Sequence, residues 1–428
     1  MMKKTSRFIF TALLCLLLLF AAGCKKSDGK SSSAELVVWA LATNTENVDT
    51  DVYYNAMKAE MKKEGISLRF EGQLMETYHQ TLLTAMMAKT GFDIAFDWCG
   101  PTFVAKARRG VWLDLSGKIP QDHLNQLLGV NSAMVDGKLY GVPYSVDVQM
   151  MFYNKSLFRK AGTTIEEFGA GFEGLTAASN KFKAIGVAAM DFTNKEGYMN
   201  EWYYCQGLGS IFKDPNDFTR GFVNSHEFTE RRYVDILRNY KIAVDQGFFV
   251  DGQTLDFASN YTQSFIRGQS AAMFCGMGFY DTLIEGGMNP SDLGVMPWPS
   301  LANGGYAHSY YSSLIFGGSS FTKYPEDVVK TLTRITKADL QTVFYNARGM
   351  DPANISADLS SSKNPLTKEA EALKAKDLME YPYNYLEPET LDLIYKDLQL
   401  VVTGEMSPED WSGLMQRTTV SAKAAVQN

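Results

Sequence analysis

Aromatic rings recur next to carboxylates and amides at several points of this 428-residue sequence. A flat aromatic ring can pack on the apolar face of a sugar, while carboxylates and amides can hydrogen-bond its hydroxyls. Any one of these rings fills a core or an interface as readily, but their repetition favours a site for a small hydroxyl-rich ligand. The aromatic stretches are Asp97-Trp98, Phe279-Tyr280 (followed by Asp281), Trp298 and Tyr310-Tyr311, and Asn44 and Glu46 add an amide and a carboxylate.

Most of these stretches follow a predicted strand. Short β-prone runs at 35–41, 66–70 and 93–97 alternate with helical periodicity at 51–64 and 78–90. The order strand, helix, strand, helix, strand predicts a mostly parallel sheet with helices on both faces. Ligands bind such sheets beyond the carboxyl ends of the strands. The fold is therefore predicted to place these side chains at one edge.

The same alternation of strands and helices returns later in the chain and predicts a second α/β unit. Buried-type strands are predicted at 186–190, 271–275, 293–296 and 312–316, and helices at 230–246, 257–267, 325–348, 366–379, 388–402 and 408–425. Asp136-Gly137, between two short apolar pairs, predicts a hairpin turn.

The charge balance and the missing motifs exclude several functions. The chain has 48 acidic and 41 basic residues, a net charge of −7. A chain this acidic without a basic stripe is a poor nucleic-acid binder. The sequence contains no HExxH, no Walker A and no GxSxG motif, and its four histidines are scattered. We therefore predict no catalytic residues, no metal site and no cofactor.

The N-terminus predicts export and lipid anchoring. Three basic residues precede the uncharged apolar run 8–20, which is shorter than a membrane span and is typical of a signal peptide. Ala-Ala-Gly-Cys, ending at Cys24, resembles a bacterial lipobox, and 25–33 is a polar tether. We expect a signal peptide at 1–23, a lipidated flexible tether at 24–34, and a protein anchored in the bacterial envelope on its periplasmic or extracellular face. Plain secretion is the alternative.

Three further cysteines lie in the rest of the chain. Cys99, Cys205 and Cys275 have no CxxC spacing, so they form neither a disulfide framework nor a zinc site. One disulfide and three buried free thiols both remain open.

The stretches DGKLYGVPYSVD (136–147) and FYNKSLFRKAG (152–162) resemble the family-1 extracellular solute-binding proteins, the maltose-binding-protein-like group. Further stretches agree in the same order: SFIRGQSAAMFCGMGFYDTL (264–283), LGVMPWPS (293–300) and VVTGEMSPEDW (401–411). The resemblance covers nearly the whole mature chain.

This resemblance implies a two-lobed periplasmic-binding-protein-like α/β fold, with ligand clamped between lobes joined by a hinge. The N-terminal lobe is expected at 35–145 plus about 303–355, and the C-terminal lobe at 146–302 plus about 356–428. Asp147 takes the place of a ligand-contacting acid, and Phe279 replaces a stacking Trp. The ligand-binding residues expected together are Asn44, Glu46, Asp97, Trp98, Tyr144, Asp147, Trp202, Phe279, Tyr280, Trp298, Tyr310 and Tyr311.

The function implied is the substrate-binding component of an ABC importer. A monomer that is not an enzyme would bind a mono- or oligosaccharide and deliver it to permease subunits in the membrane. Two alternatives remain at this point: another cargo, such as ferric ion held by Tyr310 and Tyr311 or a polyamine, and a secreted carbohydrate-active enzyme. A surface adhesin or sensor without a transporter is a further alternative.

Overall fold

The computed structural model describes residues 35–42, 50–223, 227–362, 364–376 and 378–427. The predictions at Cys24, Asn44 and Glu46, and those for the signal peptide and tether, lie outside the described residues. Within the described part of the chain, no helix has the length and the apolar run that crossing a bilayer requires.

Nine of the described strands form one mixed sheet in the order β2-β1-β3-β10-β6-β8-β7, with β11 beside β10 and β9 beside β6. The strands, including the separate hairpin β4-β5, are β1 (Glu35–Ala42), β2 (Ser67–Leu74), β3 (Ile94–Trp98), β4 (Met134–Val135), β5 (Lys138–Leu139), β6 (Val142–Asn154), β7 (Ala188–Met190), β8 (Ser270–Gly276), β9 (Leu293–Met296), β10 (Ser309–Gly318) and β11 (Leu378–Glu380).

The pairing of the strands divides the sheet into two parallel ends and a crossing centre. β1 runs parallel to β2 and β3, and β7 runs parallel to β8. Between these ends, β6 and β10 are antiparallel to each other and to their outer neighbours β8 and β3. The α/β prediction is confirmed, and the two long central strands connect its parallel halves.

The described helices at 52–88, 231–266 and 325–427 overlap the predicted ones, whereas those between 101 and 218 and the one at 280–285 were not predicted. They are α1 (Val52–Lys63), α2 (Met75–Ala88), α3 (Pro101–Arg108), α4 (Gln121–Leu124), α5 (Lys155–Ala161), α6 (Ile165–Phe168), α7 (Gly171–Ala184), α8 (Tyr198–Gly209), α9 (Pro215–Phe218), α10 (Arg231–Asp245), α11 (Phe257–Asn260), α12 (Gln263–Ile266), α13 (Tyr280–Glu285), α14 (Pro325–Ile335), α15 (Ala338–Arg348), α16 (Thr367–Lys376), α17 (Leu398–Thr403) and α18 (Pro408–Gln427).

Local signals explain the ends of several elements. Asp51 caps α1 by accepting a hydrogen bond from the Tyr54 backbone N–H at 2.8 Å. Asp136 and Gly137 both adopt positive φ in the β4-β5 turn, as predicted for a hairpin. The single helix predicted over 325–348 is instead two helices, because the chain breaks at Thr336 and Lys337.

Two hydrophobic cores form on either side of the crossing strands. The first, here called the N-terminal core, draws its buried residues from 36–144 and 315–344. The second, the C-terminal core, draws them from 146–310 and 353–415. β6 and β10 contribute side chains to both cores, so the backbone passes between them at these strands.

Candidate functional site

A cavity opens beside β6, where the two cores meet. Gln149 of β6 pairs with Gly276 of β8, and Ser145 of β6 bridges to Pro352. Since β10 occupies the other edge of β6, Gly276 and Pro352 lie along one edge with Asp147 between them. The cavity has a volume of about 420 Å³ and is lined by Met277, Gly278, Tyr280, Asp281, Tyr345, Asn346, Ala347, Arg348, Gly349, Asp351, Ser361, Ser362, Asn364, Thr367, Ala370 and Glu371.

The cations in the cavity wall are already paired. Arg348 donates to the Asp51 carboxylate at 2.6 Å, and its guanidinium carbon lies 4.8 Å from the Tyr54 ring centroid. Lys374, beneath the wall, donates to Asp351 at 2.7 Å. Burial raises the pKa of Asp351, and the lysine opposes that shift. Both cations are therefore already neutralised by carboxylates of the fold.

Asp147 differs because its carboxylate has no cationic partner among the contacts the structure shows. A Cβ on Gly276 would lie 2.3 Å from the Asp147 Oδ1, so only glycine leaves room for this carboxylate. Burial, and then the charge of Asp351, raise the pKa of Asp147 to about 6, while a hydrogen bond from Gln149 opposes the rise. Gln149 is held in turn by Gln206, which donates to it at 2.7 Å.

An aromatic band, defined here as Tyr198, Trp202, Phe257, Tyr261 and Phe279, lies on the C-terminal core, and its Phe279 stands between the cavity residues Gly278 and Tyr280. Ring centroids lie 4.1 Å apart for Phe257 and Tyr261 and 5.2 Å apart for Tyr261 and Phe279. Tyr198 and Trp202 follow each other one helical turn apart on α8, and each ring meets Phe257 edge-on. Except for the buried Tyr261, the rings of the band are partly exposed.

The carboxyl end of β3 supplies an aromatic group from the N-terminal core. The Trp98 ring is half-buried and lies 4.8 Å from the ring of His79. Burial, and then the charge of Lys106, lower the pKa of His79, which leaves its imidazole neutral at pH 7.

Tyr383 connects this strand end with the C-terminal core. A Cβ on Gly100 would lie 2.3 Å from the Tyr383 ring, and Gly100 also adopts a φ of 89°. The Tyr383 hydroxyl shares a hydrogen bond with Tyr395, whose ring lies 5.9 Å from that of Tyr198 in the aromatic band. A chain of contacts through Tyr383 and Tyr395 therefore links Gly100, two residues after Trp98, to the aromatic band.

Four residues that the sequence placed at the ligand are buried inside the cores, and we leave them out of the candidate site. Asp97 is fully buried and accepts from Lys106 at 2.7 and 2.8 Å. The Tyr144 ring packs 4.3 Å from Phe316, and that of Trp298 packs 4.8 Å from Phe274. The Tyr310 hydroxyl donates to the Gln206 carbonyl at 2.9 Å. These side chains have little or no surface left for a ligand.

The remaining predicted residues keep partial exposure or line the cavity. Tyr280 lines the cavity, and Trp98, Asp147, Trp202 and Phe279 are partly exposed. Tyr311 is half-buried, and its hydroxyl donates to Glu380 at 3.4 Å. The sequence analysis missed Tyr198, Phe257 and Tyr261, although the i, i+4 spacing of Tyr198 and Trp202 was a readable signal.

The described residues bear on two other expectations, the state of the cysteines and the absence of a metal site. Cys99 and Cys205 are free and buried, while the Cys275 side chain lies outside the description. No group of three or more His, Cys, Asp or Glu in the described residues is arranged to hold a metal ion.

Two parallel sheet ends joined by two crossing strands, with a polar cavity beside those strands, fit a two-lobed α/β fold. A family model described as bacterial extracellular solute-binding protein matches residues 55–375, more than half of the chain. The chain belongs to this family of bacterial extracellular solute-binding proteins.

Individual proteins agree with this assignment. The galactooligosaccharide-binding protein of Bacillus subtilis is 26% identical over 346 residues, which cover 76% of this chain and 75% of that protein. A chitin oligosaccharide binding protein shares the fold with a TM-score of 0.75 and 19% identity, over 92% of this chain and 100% of that one. The sugar-binding protein MalE of Xanthomonas citri aligns with a TM-score of 0.69 and 18% identity, over 92% and 98%. The predicted two-lobed fold is confirmed.

Proposed function

We propose that this protein binds a saccharide between its two lobes and delivers it to an ABC importer without changing it chemically. The observation that carries the proposal is the partly exposed aromatic band, whose Phe279 stands in the chain between the cavity residues Gly278 and Tyr280. The names of the related binding proteins support a saccharide. Ferric ion has less support, because Tyr310, one of the two tyrosines expected to hold it, is fully buried and its hydroxyl donates to the Gln206 carbonyl.

The chemistry of binding follows from the two kinds of surface. Rings of the aromatic band would cover the apolar C–H face of a pyranose, since such stacking removes apolar area from water. The Asp147 carboxylate and the side-chain amides and hydroxyls of the cavity would then hydrogen-bond the sugar hydroxyls in fixed directions.

The crossing strands suggest how ligand binding leads to closure of the two lobes. Because β6 and β10 pass from one core to the other, a bend in them would let the lobes close on the ligand. A ligand that contacts both lobes favours the closed form by its differential affinity. We propose that 35–145 with about 303–355, and 146–302 with about 356–428, are these lobes, and that the closed form docks on the permease from a lipid anchor at Cys24.

The test is a binding titration of the purified protein followed by intrinsic tryptophan fluorescence and calorimetry. Maltotriose, raffinose and triacetylchitotriose are the probes, with spermidine and ferric citrate as the competing cargo classes. We expect at least one saccharide to bind, and Trp202→Ala to weaken that binding tenfold or more, while the exposed Tyr324→Ala leaves it unchanged. Binding of spermidine or ferric ion alone would contradict the proposal.

A further inference from the structure

The charges around the cavity restrict the class of saccharide. We propose that the site takes uncharged saccharides and rejects sugars that carry a carboxylate. This inference rests on the proposed function and concerns its specificity.

Described acids outnumber described cations at the cavity. Arg348 and Lys374 are the cations, and five carboxylates line or adjoin the space: Asp51, Asp147, Asp281, Asp351 and Glu371. Even if each cation fully neutralises one acid, three negative charges remain. The field inside the cavity is therefore negative.

The two cations are not available to receive a sugar carboxylate. Arg348 is bound to Asp51 at 2.6 Å and lies over the Tyr54 ring, which fixes its guanidinium. Lys374 is wedged between Asp351, at 2.7 Å, and Glu371, and its side chain is only 13% exposed. A uronate could recruit either cation only by breaking a pair already made, which would leave a buried acid uncompensated.

Among the described residues, the two cations near the strand end that carries Trp98 are paired as well. Lys106 is held by both oxygens of Asp97 in the core. Arg108 is held by Asp136 and by Glu387, at 3.1 and 2.9 Å. His79 is neutral for the reason given above. Cations near this wall therefore serve the fold and not the ligand.

Three acids are left: Glu371 still contacts Lys374, whereas Asp147 and Asp281 have no cation among the described contacts and face a ligand unpaired. Asp147 has Gln149 as its hydrogen-bonding side chain and Asp351 as its charged neighbour, so it is ionised and uncompensated at neutral pH. Asp281 is exposed at the cavity rim. Sugar hydroxyls can donate to both carboxylates, whereas a second carboxylate is repelled by both, and repulsion of this kind separates ligands of equal size.

Matched ligands test this inference. Whichever of maltotriose and raffinose binds is compared with the same sugar oxidised at C6 to the uronate, and with the methyl ester of that uronate. We expect the uronate to bind at least tenfold more weakly than the neutral sugar, and the methyl ester to recover most of the loss. The ester keeps the added bulk and removes only the charge.

Variants locate the repulsion. The ratio of neutral to acidic affinity should fall at least threefold in Asp147→Asn or in Asp281→Asn, which change charge and preserve shape. The exposed Asp122→Asn on α4, outside the cavity, should leave the ratio unchanged.

The outcomes separate the inference from the proposed function. A uronate that binds as tightly as its neutral parent, an ester as weak as the acid, or a ratio unchanged in both cavity variants would overturn the charge-selection inference while saccharide binding stands. If no member of the panel binds in any form, the proposed function itself is wrong.

Discussion

Asp97 and Asp147, two aspartates near the centre of the sheet, differ in whether a cation neutralises their carboxylate. Asp97 in β3 is fully buried, and Lys106 compensates its charge through both carboxylate oxygens. Asp147 in β6 has a glutamine and a second acid as neighbours, and its pKa rises to about 6. The comparison shows that a neighbouring ring does not tell a compensated acid from an uncompensated one, because only the tertiary contacts bring a cation to Asp97 and none to Asp147.

The largest effect is expected from breaking the Asp97 pair. Lys106→Met leaves a buried carboxylate without its cation and should lower the free energy of unfolding by about 3–5 kcal/mol. Urea denaturation measures this change, with the exposed Lys160→Met as control. A loss below about 1 kcal/mol would mean that Asp97 is not held by Lys106, and the contrast between the two acids would disappear.

Asp147→Asn should have the opposite sign. The folded protein holds a proton on Asp147 between its ordinary pKa of 3.8 and the raised value of about 6, so stability falls as pH rises through that window. Asparagine has no charge to bury, and the variant should gain on the order of 2 kcal/mol at pH 7.5, with allowance for partial exposure.

Thermal denaturation across pH checks this sign. The gain should shrink as pH falls below 6 and vanish only below about pH 3, where Asp147 is protonated in both states. A variant less stable than the wild type at pH 7.5 would show that the carboxylate is favourably bound in the unliganded fold, as Asp97 is.

The same contrast extends to aromatic rings, with a smaller effect. Phe279→Ala removes a partly exposed ring of the aromatic band and should weaken saccharide binding about tenfold, at a modest cost in stability. Trp298→Ala empties a core position instead and should cost stability by about 3–5 kcal/mol. Calorimetric titration of both variants checks the effect on binding, and denaturation checks the effect on stability. If both variants lost the same saccharide affinity per folded molecule, the distinction between a ligand-facing ring and a core ring would be wrong.

The smallest effect is expected from Asp281→Asn. This acid is exposed at the cavity rim, so it loses little solvation in the folded state. The free energy of unfolding should change by less than about 0.5 kcal/mol. A shift as large as that of Asp147→Asn, measured in the same urea titration, would indicate that the cavity closes over this residue.

Prediction from the sequence succeeded where the signal was local. The predicted strand at 293–296 matches β9 residue for residue, and the Asp136-Gly137 hairpin is present. β6, which organises the whole site, gave no strand pattern because nearly all of its 13 residues are buried and polar alternation is absent. The helix predicted over 388–402 is present, but it changes form along its length: a 3-10 turn at 388–390, a π-helical stretch at 393–397 and an α-helix from Leu398.

The sequence by itself determined the α/β order, the family resemblance and the neighbourhoods that hold Asp147, Trp202 and Phe279. These follow from periodicity, turn residues and short motifs, which act over a few residues. Only the tertiary structure decided which side chains remain for a ligand, because burial depends on what the fold brings from far along the chain. Asp351, 204 positions beyond Asp147, shifts the pKa of that acid. Rings from four separate segments meet in the aromatic band and its link to Trp98 through Tyr383.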